Sequence, residues 1–200
     1  MRLDIDNWDP ITVSEINEVF SKIPINWCIA GGWALDIHIS KKTRVHKDID
    51  VIIFREDQQV LYHYLNGAWD LYKAENGKLV SWKQGEYLGS TNDIWVSKDA
   101  YSSWAFQIML VDTDNDEWIY RRDKSIRASK EKIMHKSQDG IPYIKPEIQL
   151  LYKAGASIIR NKDLQDFQNI LPFLDTREKE WLKDAINKQF PCGHSWLKCL

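Results

Sequence analysis

The run Asp48-Ile49-Asp50-Val51-Ile52-Ile53-Phe54, fifteen residues after the pair Gly31-Gly32, constrains this chain more than any other stretch. It reads as an apolar strand opened by two carboxylates. On an extended strand residues i and i+2 share a face, so Asp48 and Asp50 project together with Cα atoms roughly 6 to 7 Å apart. Like charges held at that spacing repel, and a hard divalent cation with oxygen ligands relieves the repulsion. The segment ahead agrees: Ile25-Asn26-Trp27-Cys28-Ile29-Ala30 reads as a short apolar strand, Gly31-Gly32 as a sharp turn, and Trp33-Ala34-Leu35-Asp36-Ile37-His38 as the start of a helix. Glycines let backbone N–H groups approach an anion, and the start of a helix adds partial positive charge. The joint pattern predicts a phosphate cradle together with a Mg2+ site whose ligands are Asp48 and Asp50.

At these residues the chain resembles the nucleotidyltransferases of the DNA polymerase beta type. Gly31-Gly32-Trp33-Ala34-Leu35-Asp36 with Arg44-Val45-His46-Lys47-Asp48-Ile49-Asp50 is similar to the branch holding the aminoglycoside 2''-adenylyltransferases and lincosamide nucleotidyltransferases. Asp116-Glu117-Trp118-Ile119-Tyr120-Arg121-Arg122-Asp123, Gly140-Ile141-Pro142-Tyr143 and the stretch Pro146 to Ala154 extend the likeness over most of the chain. The resemblance implies a nucleoside triphosphate, ATP by expectation, as co-substrate with Mg2+. It implies transfer of AMP to a hydroxyl of a small molecule, aminoglycoside-like or lincosamide-like. Asp48 and Asp50 are then catalytic metal ligands, Gly31 and Gly32 bind the triphosphate, and Lys153 reaches the β- or γ-phosphate as a point charge; Arg44, in the loop entering the Asp48-Asp50 strand, either binds triphosphate oxygens or balances the carboxylates.

The resemblance also implies a third carboxylate on a neighbouring strand, and in Ala105 to Leu110 the expected place holds Gln107. An amide can hydrogen-bond there but cannot act as a general base near neutral pH. Asp93 is the expected catalytic replacement: if Asp93 to Val96 and Ala105 to Leu110 pair antiparallel about Ala100, Asp93 falls opposite Gln107. Two other readings stay open. One is a non-catalytic nucleotide or small-molecule binding module of the same fold, and the other an antitoxin-like nucleotidyltransferase that modifies a partner protein.

A formal net charge of −2 over 200 residues argues against a long nucleic acid as partner, since such binders carry a basic field. No apolar run approaches a membrane span, and the first residues lack the apolar core of a signal peptide. Three cysteines make no disulfide or metal framework; a soluble protein of the reducing cytoplasm is expected. Ten tryptophans read first as packing, and they leave a homodimer open.

Helical spacing follows the capping box at Thr12, and a second helix is expected over Glu56 to Asn66. Leu71 to Lys73, Leu79 to Trp82, Asp93 to Val96 and Trp104 to Val111 read as strands between Gly, Asn, Asp and Ser clusters. Pro146 opens a helix whose apolar stripe continues to Ile159, and two more helices follow. The expected fold is α+β: a nucleotidyltransferase-like mixed β-sheet flanked by helices over 1–140, with a small C-terminal helical unit over 141–200.

Overall fold

Thr12 opens the first helix, α1 (Val13–Phe20), through a reciprocal cap in which the Glu15 N–H donates to Thr12 Oγ1 at 3.2 Å and the Thr12 N–H to Glu15 Oε2 at 2.7 Å. From there the chain, described over residues 1–200 by a computed structural model, builds two compact units. One comprises Met1–Ile29 and His46–Thr113, the other Ala30–Val45 and Asp114–Leu200. This division does not follow a line at residue 140. The reason is that the helix after β1 (Trp27–Ala30), α2 (Gly31–His38), and the loop behind it bond to the C-terminal helices, as described below.

The first unit is a mixed sheet. Its strands are β1, β2 (Asp50–Phe54), β3 (Asp70–Glu75), β4 (Lys78–Ser81), β5 (Asp93–Ser97) and β6 (Trp104–Asp114), in the order β4-β3-β5-β6-β2-β1. β2 runs parallel to β6, whereas β5 is antiparallel to both β3 and β6. Val51, Ile52, Ile53 and Phe54 are all buried, which is why the sequence of β2 is an unbroken apolar run rather than an alternating one. Phe20 of α1 meets Phe106 of β6 edge-on at 5.9 Å between ring centroids and Trp27 of β1 at 5.0 Å. The helix expected over Glu56 to Asn66 forms as a single 3-10 turn followed by α3 (Gln58–Leu65).

The second unit holds α2, a hairpin of β7 (Glu117–Ile119) and β8 (Arg127–Ser129), and a hairpin of β9 (Met134–Lys136) and β10 (Pro142–Ile144). Helices α4 (Pro146–Ala154), α5 (Asn161–Ile170) and α6 (Thr176–Gln189) follow. The stripe expected to run to Ile159 stops at Ala154, and at Gly155 the side chains of Tyr120 and Gln189 come close to the backbone. A Cβ on Gly155 would lie 2.1 Å from the Tyr120 hydroxyl, which bonds to Gln189 Oε1 at 3.0 Å and donates to the Leu151 carbonyl at 3.3 Å. Tyr120 is fully buried and cannot step aside. Gly155→Ala is therefore expected to destabilise the fold by about 1 to 3 kcal/mol through overpacking, read as a lowered urea midpoint. An unchanged midpoint would show that the hydroxyl yields.

Candidate active site

Side chains of directly paired residues lie on one face of a sheet, so register decides which groups meet. Asp50 pairs with Gln107, Gln107 with Trp95, and Trp95 with Tyr72, which lays a row of four side chains across β2, β6, β5 and β3. Asp50, Gln107, Met109, Trp95 and Asp93 are each half-buried, while Val51, Ile108 and Ile94 between them are buried. The same alternation extends upstream: Asp48 and Asp50 are half-buried and Ile49 is 1% exposed, with the Gln107 N–H donating to the Ile49 carbonyl at 2.9 Å. Asp48 and Asp50 thus sit at the open mouth of a strand whose remainder is core.

Asp93 does not lie opposite Gln107. Its partner is Met109, and Trp95 faces Gln107. The connection closes from Ser97 to Trp104 rather than symmetrically about Ala100, and an irregularity between Val96 and Ser97 adds to the slip. A slip of two residues keeps the same face, so Asp93 stays beside Gln107 on the diagonal. The Gln107 side-chain amide donates to Asp93 Oδ1 at 2.9 Å. Two strand spacings and two residues separate Asp93 from Asp50, roughly 12 Å between Cα atoms, so the two carboxylates do not share one ion.

No three Asp, Glu, His or Cys side chains gather into a cage for a metal ion. Mg2+ keeps several waters and is held by one or two carboxylates together with substrate phosphates. Asp48 and Asp50 offer such an ion a pair of carboxylate oxygens on the half-open face of the strand.

The diglycine lies in the second unit. Gly31 has φ +68°, a left-handed conformation that a side chain resists, and its N–H donates to Gln149 Oε1 at 2.7 Å. Ala30 gives α2 no side-chain cap, and Gly32 and Trp33 are half-exposed. The loop behind α2 is tied by Asp36, which is 4% exposed and whose Oδ1 accepts from the Thr43 hydroxyl at 2.6 Å and the Thr43 N–H at 3.1 Å. Asp36 therefore shapes the basic loop.

Arg44 and Lys153 come together. The Arg44 guanidinium forks onto Asp166 with Nε and Nη2 each 2.9 Å from a carboxylate oxygen, and Lys153 Nζ lies 2.8 Å from Asp166 and 3.3 Å from Asp163. Asp163 also accepts from Arg160 Nε at 2.7 Å. Burial would raise the Asp166 carboxyl, but the Arg44 fork and the Lys153 ammonium hold it below the usual carboxylate range. Asp163 is likewise held low, against burial, by Arg160 and Lys153. Sequence reasoning overlooks Gln149, which sits one turn before Lys153 on the buried side of α4. Two long polar residues four apart among buried apolar neighbours are the signal that would reveal it.

A sequence model of the aminoglycoside-2''-adenylyltransferase family matches residues 12–169. No curated protein matches the sequence significantly. Among solved structures, the lincosamide antibiotic adenylyltransferase LnuA, lincomycin-bound, is similar with a TM-score of 0.55 and 18% identity, covering 81% of this chain and 98% of that one. ANT(2'')-Ia in complex with adenylyl-2''-tobramycin gives a TM-score of 0.56 at 13% identity over 89% of this chain and 98% of its own. An antigenic nucleotidyltransferase-like protein from Paracoccidioides brasiliensis gives 0.50 at 14% identity, over 90% of this chain and 86% of that one. At such identities these likenesses establish the nucleotidyltransferase-like fold. The family match spans most of the sequence, and the chain belongs to the aminoglycoside-2''-adenylyltransferase family.

Proposed function

We propose that this protein transfers AMP from ATP to a hydroxyl of a small molecule of the aminoglycoside or lincosamide kind, using Mg2+ held by Asp48 and Asp50. The observation that carries the reading is the half-open placement of those two aspartates at the mouth of an otherwise buried central strand, in a chain of this family. The acceptor oxygen attacks the α-phosphorus, the bond to the β-phosphate oxygen breaks, and pyrophosphate leaves. A bound Mg2+ supplies charge stabilisation for the oxygens of that displacement. Asp48 and Asp50 provide the carboxylates that would hold it. Asp93, oriented by the Gln107 amide, takes the acceptor's proton as general base. Gly31 and Gly32 turn the chain into α2, where Gln149 holds the Gly31 N–H and the N–H groups that follow serve as a phosphate cradle, and Arg44 and Lys153 serve the triphosphate.

No helix is long and apolar enough to cross a membrane, and the cysteines are free, so the cytoplasm, where ATP is abundant, is the proposed place of work. Incubation with α-labelled ATP, Mg2+ and a panel of hydroxylated antibiotics is expected to give labelled acceptor and pyrophosphate in equal amounts. Absence of both, with every acceptor, would overturn the reading. One observation favours a second reading: the position paired with Asp50 carries an amide, not a carboxylate. A binding module without turnover would take up ATP and the acceptor and release no pyrophosphate.

A further inference from the structure

We infer that Asp163 and Asp166 are positioning residues: they fix the orientation of Arg44 and Lys153 toward the triphosphate, an inference that rests on the nucleotide reading above. The two aspartates stand three apart on α5, on one face, and are 0% and 2% exposed. Arg44 comes from the loop behind α2 and Lys153 from α4, so α5 is the element that brings the two cations to one place. The four charges Arg44, Lys153, Asp163 and Asp166 cancel, while the fifth, Arg160, is 57% exposed and solvated. A balanced set of buried charges is a poor way to gain stability, because well-packed apolar side chains of similar volume do as well or better.

What the ionic arrangement gives that an apolar one cannot is direction. A guanidinium has five N–H donors in one plane, and a two-bond fork sets that plane. The Asp166 fork therefore fixes the plane in which the other Arg44 donors lie, Nη1 giving one of them to the Val45 carbonyl at 3.2 Å. An ammonium carries three donors, and with two aspartates as neighbours of Nζ the head of the buried Lys153 side chain is held in one place. Cations held in place lose little entropy on meeting a polyphosphate, so the aspartates act on nucleotide affinity through Arg44 and Lys153 without touching it.

Calorimetric titration with ATP and with AMP, both in Mg2+, tests this on the full chain. The wild type is expected to prefer ATP. Asp166→Asn keeps the shape but loses the charged fork, and its ATP affinity is expected to fall about tenfold with AMP affinity unchanged, Asp166→Glu recovering part of the loss. In turnover the change falls on KM for ATP and not on kcat. Arg44→Lys retains the charge without the fork and serves if the Asn variant does not fold; it too is expected to lose most of the preference for ATP. Wild-type preference for ATP retained in either folded variant overturns the inference alone. If the wild type takes up neither nucleotide, or both equally, the nucleotide reading falls and the inference with it.

Discussion

Asparagine in place of Asp50 or of Asp48 is expected to lower the rate of nucleotidyl transfer about a hundredfold to a thousandfold while leaving the fold intact. The substitution is nearly isosteric and exchanges a carboxylate oxygen for an amide nitrogen, so it removes one negative charge and little else. Removal of a single preorganised group that stabilises transition-state charge has an effect of this size. The fold is spared because both residues are half-buried on the open face, with the apolar packing of β2 carried by Val51 to Phe54 behind them. The measurement is initial velocity with labelled ATP at saturating Mg2+, paired with the urea midpoint of each variant. Turnover within a fewfold of wild type in either variant would remove that aspartate from the chemistry. Asp93→Asn separates the roles further: on the proposed assignment of Asp93 as the base, it should depress kcat and leave Mg2+-dependent ATP binding unchanged.

The features that depend on local pattern were legible in the sequence. Asp48 and Asp50 open β2 on its accessible face because alternation on an extended chain follows from covalent geometry alone, and Thr12 with Glu15 forms its cap for the same local reason. What could not be read depends on long-range pairing. Asp93 was expected across from Gln107; the turn closing from Ser97 to Trp104 and the irregularity at Val96 and Ser97 each shift the register by one residue and together bring it to Met109, and nothing in the local sequence signals that extra step. The hydrogen bond between Gln107 and Asp93 survives because a two-residue slip conserves the face. Strands β8, β9 and β10 are three residues each, too short for a period-two pattern to declare itself. The pairing of Arg44 with Asp166 spans 122 residues, and only the folded chain reveals that α2 and its loop join the C-terminal helices.

Glu147 should make stability fall as pH rises, opposite to the trend set by the ion-paired aspartates. It occupies the first turn of α4, is 6% exposed, and its Oε2 is buried with no hydrogen-bond partner, while Oε1 lies 3.9 Å from Lys145 Nζ. Burial pushes its carboxyl up to about 7, its own backbone N–H and Lys145 acting against the rise and Glu178 and Asp175 adding to it. An unfolded chain releases this proton near pH 4.5, the ordinary value. Between those two values the folded state keeps a proton that the unfolded state has lost, so the folded state is favoured most at the acid end. That advantage declines through the window and is gone above pH 7, a change of about 3 kcal/mol. Asp163 and Asp166, held below their usual range, have the reverse dependence and lose their contribution as pH falls. The difference between wild type and Glu147→Gln isolates the one residue. Glutamine has no proton to lose and can donate from its amide in the same volume, so the variant should match the wild type near pH 4.5 and exceed it by about 3 kcal/mol at pH 8. Urea midpoints at half-unit steps across that range give the comparison directly. A difference that stays flat with pH would mean that the Glu147 carboxyl ionises in the fold as it does in water, and that water or a cation reaches Oε2.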